Sequence, residues 1–344
     1  MTDQPKPAAP PAPSMASQPM SADLWLTLGF LSMLWGGSFF FIAIAVKEWP
    51  PFTIVFARVV IAALVLLAVL AVLRPAFRLE RRLVLSVLGM ALFNNVVPFS
   101  LIVWAQGHIP SGLASILNAT TPLFTVALLH LAGAERATPM KATGVLVGMG
   151  GVALMLARDW GEFGAVEIIP QLAMLAATTS YAISGWWGRR LQKDAVPPLV
   201  AATGQMIGST LMLAPLVLLI DQPWLLPAPG TPAIMSIVAL GIFSTALAYI
   251  LFFRVLVRAG PTNLALVTFL IPVSAILLGT LFLGERLTLS QAFGMETVAE
   301  WVTDGPTAEI AESLGITYLQ GFHFGRPIEA DALPGPSRRL AVVG

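Results

Sequence analysis

From Leu24 onward, long apolar runs alternate with short breaks carrying Pro, Gly or Arg, and each run can cross a hydrocarbon core of about 30 Å as a helix. The pattern predicts nine spans, at 24–46, 52–73, 83–106, 111–132, 141–157, 168–188, 198–219, 232–257 and 261–284, the fifth of marginal length. The first run is too long for a signal-peptide core and no small-residue cleavage site closes it, so it reads as a retained span. Ahead of it, residues 1–22 are rich in Pro, Ala and Ser with Lys6 the only base. Such a segment cannot bury apolar surface, which predicts a disordered tail.

The bases between the runs set an orientation. With the N-terminus in the cytoplasm, twelve fall on the cytoplasmic side: Lys6, the group from Arg74 to Arg82, Arg136 and Lys141, the group from Arg189 to Lys193, and Arg254 and Arg258. The opposite side holds three, Lys47, Arg158 and Arg286. The positive-inside rule therefore expects a multi-pass inner-membrane protein with a cytoplasmic N-terminus.

Composition agrees with the pattern. Of 344 residues, 57% are hydrophobic and 11% charged, with a mean hydropathy of +0.83. Soluble domains carry roughly 25% charged residues, so too little charge is present to coat a water-facing surface, and lipid must surround most of the chain. A formal net charge of +1 excludes a general polyanion binder, so no nucleic-acid partner is expected. The absence of cysteine excludes disulfides, thiolate metal sites and thiol nucleophiles.

The chain also repeats itself. GAERAT at 133–138 returns as LGERLT at 283–288; Pro122 matches Pro272 and Gly144 matches Gly294, all 150 residues apart, and Pro50-Pro51 matches Pro197-Pro198 at 147. This offset implies a duplicated five-helix unit. Because five is odd, the second copy enters the membrane upside down, the inverted-repeat plan of many secondary transporters.

A tenth helix should then start near Gln291, but after QAFGM the chain reads ETVAEWVTDGPT. Glu296, Glu300 and Asp304 would stand in lipid at about 2.5–3.5 kcal/mol each near a helix centre, and Gly305-Pro306 adds a breaker. The tenth helix is therefore expected to be missing. Residues 295–344 hold seven acids and three bases, a charge of −4, against +5 for residues 1–294, so two unlike sequences meet near Gly294-Met295.

With LWGGSFFFI at 34–42, Arg58 in the second run, Pro122 in the fourth and the pairs Glu135-Arg136 and Glu285-Arg286, residues 24–294 resemble the EamA family of the drug/metabolite transporter superfamily. That resemblance implies ten helices in two inverted repeats and export or import of small metabolites, often amino acids. In the tail, VAEWV at 298–302 and EIAESLGITYLQGFHFGRP at 309–327 are similar to the C-terminal end of EAL domains, the cyclic di-GMP phosphodiesterases. By that resemblance Glu300 falls on a metal-site or general-base glutamate and Gln320 on an active-site glutamine. Trp301 and Thr303 depart from the family's Gly and Glu, and the earlier carboxylates that two-metal hydrolysis needs are missing.

The expected fold is thus an all-α polytopic membrane protein: two inverted five-helix repeats with the tenth helix missing, followed by a short soluble α/β fragment. The units are 1–22, a first repeat at 23–157, a truncated second repeat at 158–294 and the EAL-like fragment at 295–344.

Polar groups inside such spans are expensive and therefore informative. Candidates for substrate binding between the repeats are Trp35, Asn94, Asn95, Asn118, Thr121, Ser180, Tyr181, Gln205 and Tyr249, amides and hydroxyls suited to a small zwitterion. The same groups can instead bond neighbouring helices, at roughly 0.6–2 kcal/mol per contact. Arg58 lies about two turns into its helix and needs a partner, a substrate carboxylate or a snorkelling route to the interface. Pro98, Pro122 and Pro272 interrupt the helical ladder and free carbonyls at candidate kinks or gates. The glycines at 144, 148, 150 and 151 suggest close helix packing; their GMGG run has no preceding strand and is no dinucleotide loop.

Glu135 and Glu285 sit at span ends beside arginines, which favours interfacial ion pairs over proton carriage. No Asp or Glu lies inside a span, so substrate-driven or facilitated exchange is expected rather than proton coupling. His108, His130 and His323 have no metal-ligand spacing, and no Walker A, GxSxG or HExxH pattern occurs. The expectation is a permease that is not an enzyme, with no cofactor and no metal, partnered by a small solute and the bilayer; monomer and homodimer stay open. The alternatives are a cyclic di-GMP-related membrane regulator, favoured by the tail, and a transporter inactivated by loss of helix 10.

Overall fold

The computed structural model describes residues 21–77, 80–134, 142–146, 148–153, 156, 165–194 and 196–285. Glu135, the position of the tenth helix, the Gly294-Met295 boundary and the EAL-like residues Glu300 and Gln320 lie outside them. Among the described residues the fold is helical and contains no strand. The helices are α1 (Ala22–Ala45), α2 (Pro51–Leu73), α3 (Arg81–Gln106), α4 (Ser111–Leu131), α5 (Ala142–Ala153), α6 (Ala165–Lys193), α7 (Pro198–Asp221), α8 (Thr231–Leu256) and α9 (Leu266–Leu283). A single 3₁₀ turn, Pro223–Leu225, follows α7.

Seven of these helices, all but α5 and α6, are long and apolar enough to cross a membrane. The described part of α5 is too short. Its neighbour α6 has the length, but Gln171, Thr178, Ser180 and Ser184 interrupt its apolar character, and all four are buried among other helices rather than turned to lipid. Large apolar side chains cover the outside of the bundle, among them Leu26, Val72, Leu131, Leu146, Leu219 and Phe282. Such a surface suits a bundle that crosses a membrane.

Proline pre-sets the first turns of α2 and α7 through Pro51 and Pro198. Their last turns also match. Among the described residues, Arg74 after α2 and Gln222 after α7 are the two non-glycine residues with positive φ, at 42° and 48°. Gly133 after α4 and Gly284 in the α9 terminus adopt φ 64° and 68°, the left-handed end that glycine supplies without a Cβ penalty.

Helical geometry is continuous from Ala248 to Leu278, yet the stretch folds back. Trp35 meets Phe252 with ring centroids 5.6 Å apart, while the next residue, Gly36, abuts Ser274. Along a straight helix those two partners would be about 33 Å apart, so α8 and α9 form a hairpin.

Two helices carry a π turn in mid-course, α3 at Leu92–Val96 and α8 at Ile242–Leu247. Val97 N donates to Leu92 O and Ala248 N to Phe243 O, each five residues back. These wide turns begin 150 residues apart, the offset of the sequence repeat. The main helix pairings join the first four helices to the last four: α1 with α8 and α9, α2 with α7 and α8, α3 with α6 and α7, α4 with α6 and α9.

Close approach is local. A Cβ on Gly36 would fall 2.9 Å from both Ala275 N and Ile271 O, so only glycine lets α1 reach the α9 backbone. In α5, Gly148 packs against Leu123, where a Cβ would stand 2.6 Å away, whereas Gly150 has open space around it and needs no packing explanation.

Candidate functional site

A cavity of about 500 Å³ lies between the two groups of helices, a volume ordinary for small-molecule sites. Trp35, Arg58, Asn94, Asn118, Thr121, Tyr181, Gln205 and Tyr249 line it. Asn95 and Ser180, also expected there, stand behind its wall: Asn95 is fully buried and the Ser180 hydroxyl donates to Phe93 O at 2.7 Å.

One amide organises the polar wall. Asn94 Nδ2 donates to Gln205 Oε1 at 3.1 Å and to Tyr249 Oη at 2.7 Å, while its Oδ1 accepts from Ser184 Oγ at 3.1 Å. The Tyr249 hydroxyl passes its own proton to Asn95 Oδ1 at 2.9 Å. Through these bonds α3 is tied to α6, α7 and α8 inside the π turn that widens α3. Pro98, four residues after Asn94, has no N–H to return to the Asn94 carbonyl.

The other prolines differ. Pro122 frees the Asn118 carbonyl, but Thr121 Oγ1 donates to it at 2.7 Å, so that acceptor is already occupied. Pro272 leaves the carbonyl of Thr268, a cavity-lining residue, without its usual helical donor.

Arg58 does not snorkel. It is 5% exposed, its Nε donates to Thr245 Oγ1 at 2.8 Å, and its guanidinium carbon lies 3.9 Å from the centroid of the Phe99 ring. Thr245 is held in turn by donating to Leu240 O at 2.7 Å within the α8 π turn. Among the described residues lining the cavity, Arg58 is the one charged side chain and no carboxylate faces it. The remaining wall is aromatic and aliphatic, including Trp35, Phe39, Phe252 and Phe253, with Trp35 packed against Phe252.

The cavity is asymmetric. Its lining reaches Leu191, Val196 and Pro198 at the α6–α7 turn and Leu256 and Leu264 at the α8–α9 turn, but includes no residue of the connections 46–50, 107–110 or 222–230. At that second end Ala45, Ile54, Val103, Ile109 and Leu113 pack into a continuous core.

Three carboxylates bind helix N-termini at the same end. Asp221 Oδ2 accepts from Thr53 N at 2.6 Å and Thr53 Oγ1 at 2.8 Å at the head of α2. Glu285 accepts from Ser111 N, Ser111 Oγ and Gly112 N at 2.9, 2.9 and 3.1 Å at the head of α4. Glu48 accepts from Gly230 N ahead of α8. The ion pair expected between Glu285 and Arg286 falls outside the described residues, and Glu285 instead caps another helix, where the macrodipole favours an anion.

Several residues here escaped the sequence reading: Ser184, Ser244, Thr245, Phe99, Asp221 and Glu48. Two had an available signal, since Ser244 and Thr245 occupy the positions 150 residues after Asn94 and Asn95. His108 stacks beside Trp104 at 4.7 Å, and no group of metal-binding side chains occurs among the described residues.

The architecture and cavity agree with what the chain is similar to. The model of the EamA-like transporter family matches residues 23–157 and 168–298, ending four residues beyond the boundary expected at Gly294. The uncharacterized inner membrane transporter YedA of Escherichia coli (strain K12) is 26% identical over 273 residues, covering 75% of this chain and 82% of YedA. The uncharacterized transporter YvbV of Bacillus subtilis (strain 168) is 27% identical over 278 residues, covering 78% and 87%. An uncharacterized transporter of Archaeoglobus fulgidus is 26% identical over 281 residues, covering 80% and 94%. A protein solved by crystallography shares the fold with a TM-score of 0.59 at 21% identity, over 86% of this chain and 98% of its own. With a family match across both halves of a multi-pass helical bundle, the chain belongs to the EamA-like transporter family.

Proposed function

We propose that the protein is an inner-membrane permease moving a small metabolite, such as an amino acid, by alternating access between two inverted repeats, with its N-terminus in the cytoplasm. The carrying observation is the asymmetric cavity: open toward the α6–α7 and α8–α9 turns, and closed at the other end by a packed core and three carboxylate caps. Each cap joins a residue before position 157 to one after 168. Rocking the halves apart at that end requires releasing all three, and packing the open end would complete the exchange. The π turns 150 residues apart support the repeat and mark where each half can bend.

On the proposed orientation the open end faces the cytoplasm. No carboxylate lines the cavity among the described residues, which favours solute-driven or facilitated exchange over proton coupling. Because the chain has no cysteine, single-cysteine variants report accessibility without background. In oriented membrane vesicles, Val196→Cys is expected to react with an impermeant maleimide from the cytoplasmic side while Leu113→Cys stays protected. An amino-acid mixture at the outer side is expected to raise Leu113→Cys labelling and lower that of Val196→Cys. Fixed labelling at both positions, with no solute counterflow into proteoliposomes above empty vesicles, would sink the reading.

A further inference from the structure

We infer that the cavity selects solutes carrying a carboxylate, and that Arg58 is the residue that binds it. The inference deepens the transporter reading and rests on it for the identity of the cavity. Its basis is an imbalance of charge inside the molecule. Arg58 lies in the bundle interior at 5% exposure, yet the protein gives it one side-chain hydrogen bond, Nε to Thr245, and an aromatic face, Phe99. Neither neutralises it. Buried charges are ordinarily paired, because an isolated one is costly to desolvate, and the cavity wall supplies no carboxylate among the described residues.

The two contacts fix how the guanidinium is presented. The bond from Nε holds one edge against α8, and Phe99 covers one face, leaving the terminal nitrogens as the unengaged donors. A planar fork of N–H groups matches a carboxylate in two parallel, charge-assisted bonds, a geometry that a neutral amide or an ammonium cannot reproduce. The solute's body would then lie along Trp35, Phe39 and Phe252, which take an aliphatic or aromatic chain without demanding a second charge. Acceptors for an amino group are present but neutral, such as Asn118 and Ser244. The carboxylate is therefore the required feature and the amino group an optional one.

The test is ligand binding to the full-length protein in detergent micelles, read by thermal stabilisation and tryptophan quenching, so it does not depend on transport. Three series are titrated: acetate, hexanoate and phenylacetate, each beside its amide and its amine of equal length. In at least one series the acid is expected to bind about tenfold or more tighter than its amide, and Arg58→Gln is expected to erase that preference while Arg58→Lys keeps part of it. Thr245→Val, which leaves the charge in place but frees its edge, is expected to weaken the acid and leave the amide unchanged. If no series prefers its acid, if the preference survives Arg58→Gln, or if chloride or inorganic phosphate at equal ionic strength stabilises as well as the carboxylates, the inference fails. Carboxylate binding without counterflow in proteoliposomes would leave this site standing and refute the transporter mechanism. Counterflow of a solute lacking a carboxylate, with no acid preference in micelles, would do the reverse.

Discussion

Glu285 reaches Ser111 across 174 residues of sequence and holds it twice, Oε1 on the backbone N–H and Oε2 on the hydroxyl, both at 2.9 Å. The arrangement joins the end of α9 to the start of α4 and depends on a gap in side-chain volume. A Cβ on Gly279 would sit 2.7 Å from Glu285 Oε2 and 3.0 Å from Ser111 Oγ, so the glycine leaves the carboxylate room to enter.

Glu285→Ala is expected to lower unfolding stability in detergent by about 0.5–2 kcal/mol, the usual loss for a helix cap, and Glu285→Gln by less, since an amide oxygen still accepts. Gly279→Ala should resemble Glu285→Ala, because it displaces the same carboxylate. A Gly279→Ala protein as stable as the wild type would show that the cap tolerates displacement and contributes little.

Much of this bundle was legible in the sequence because lipid imposes one dominant rule. Asn94, Gln205 and Tyr249 stood out in apolar runs since unpaired polar groups are costly there, and the structure joins them in one network. Ser184 and Thr245 do not stand out by polarity alone. Each can satisfy its hydroxyl on its own helix, Ser184 on Tyr181 O and Thr245 on Leu240 O, so its presence in a span implies no distant partner. The capping roles of Asp221 and Glu285 were hidden for a different reason. At a helix end a carboxylate looks like ordinary interfacial charge, and only the fold reveals which N-terminus it meets. The sixth run has the length of a span, and its lower hydropathy reflects the polar residues it buries.

Asp221 uses one oxygen, Oδ2, for both Thr53 donors. Asp221→Asn can therefore keep the geometry and lose only the charge, while Asp221→Ala loses both bonds. Unfolding midpoints should rank wild type, Asn, then Ala, with Asp221→Asn within about 1 kcal/mol of wild type, the scale of a charge at a helix N-terminus. If the cap closes the sealed end of the cavity, Asp221→Ala should also increase maleimide labelling of a cysteine at Leu113 severalfold. Unchanged labelling would assign Asp221 to stability alone.

Within α1, two glycines provide opposite expectations. Around Gly29 nothing lies within 4 Å of an added Cβ, so Gly29→Ala should be neutral or stabilising by up to about 1 kcal/mol through better helix propensity. At Gly36 the same methyl meets the α9 backbone and the Ser274 hydroxyl, at 2.0 Å from Oγ, and relief requires the helices to part. Gly36→Ala is expected to cost about 1–3 kcal/mol and to weaken the Ser274 bond to Ser32 O, now 3.0 Å. Equal unfolding midpoints for the two variants would show that α1 and α9 are not locked at this crossing.

The bond from Tyr249 to Asn95 separates a network contribution from the content of either side chain. Asn95 is fully buried, its Nδ2 has no hydrogen-bond partner, and its Oδ1 accepts the Tyr249 hydroxyl at 2.9 Å. Tyr249→Phe leaves both ends of a buried amide unsatisfied and removes one acceptor from Asn94 Nδ2, which keeps Gln205. The expected loss is about 1–3 kcal/mol. Asn95→Leu alone strands the Tyr249 proton but removes the orphaned amide, and should cost less. Together, Tyr249→Phe and Asn95→Leu should cost less than the sum of the two, because the second change removes the group the first had stranded. Strict additivity of unfolding energies in this cycle would mean that the two side chains act independently and that the polar wall of the cavity is a set of separate contacts.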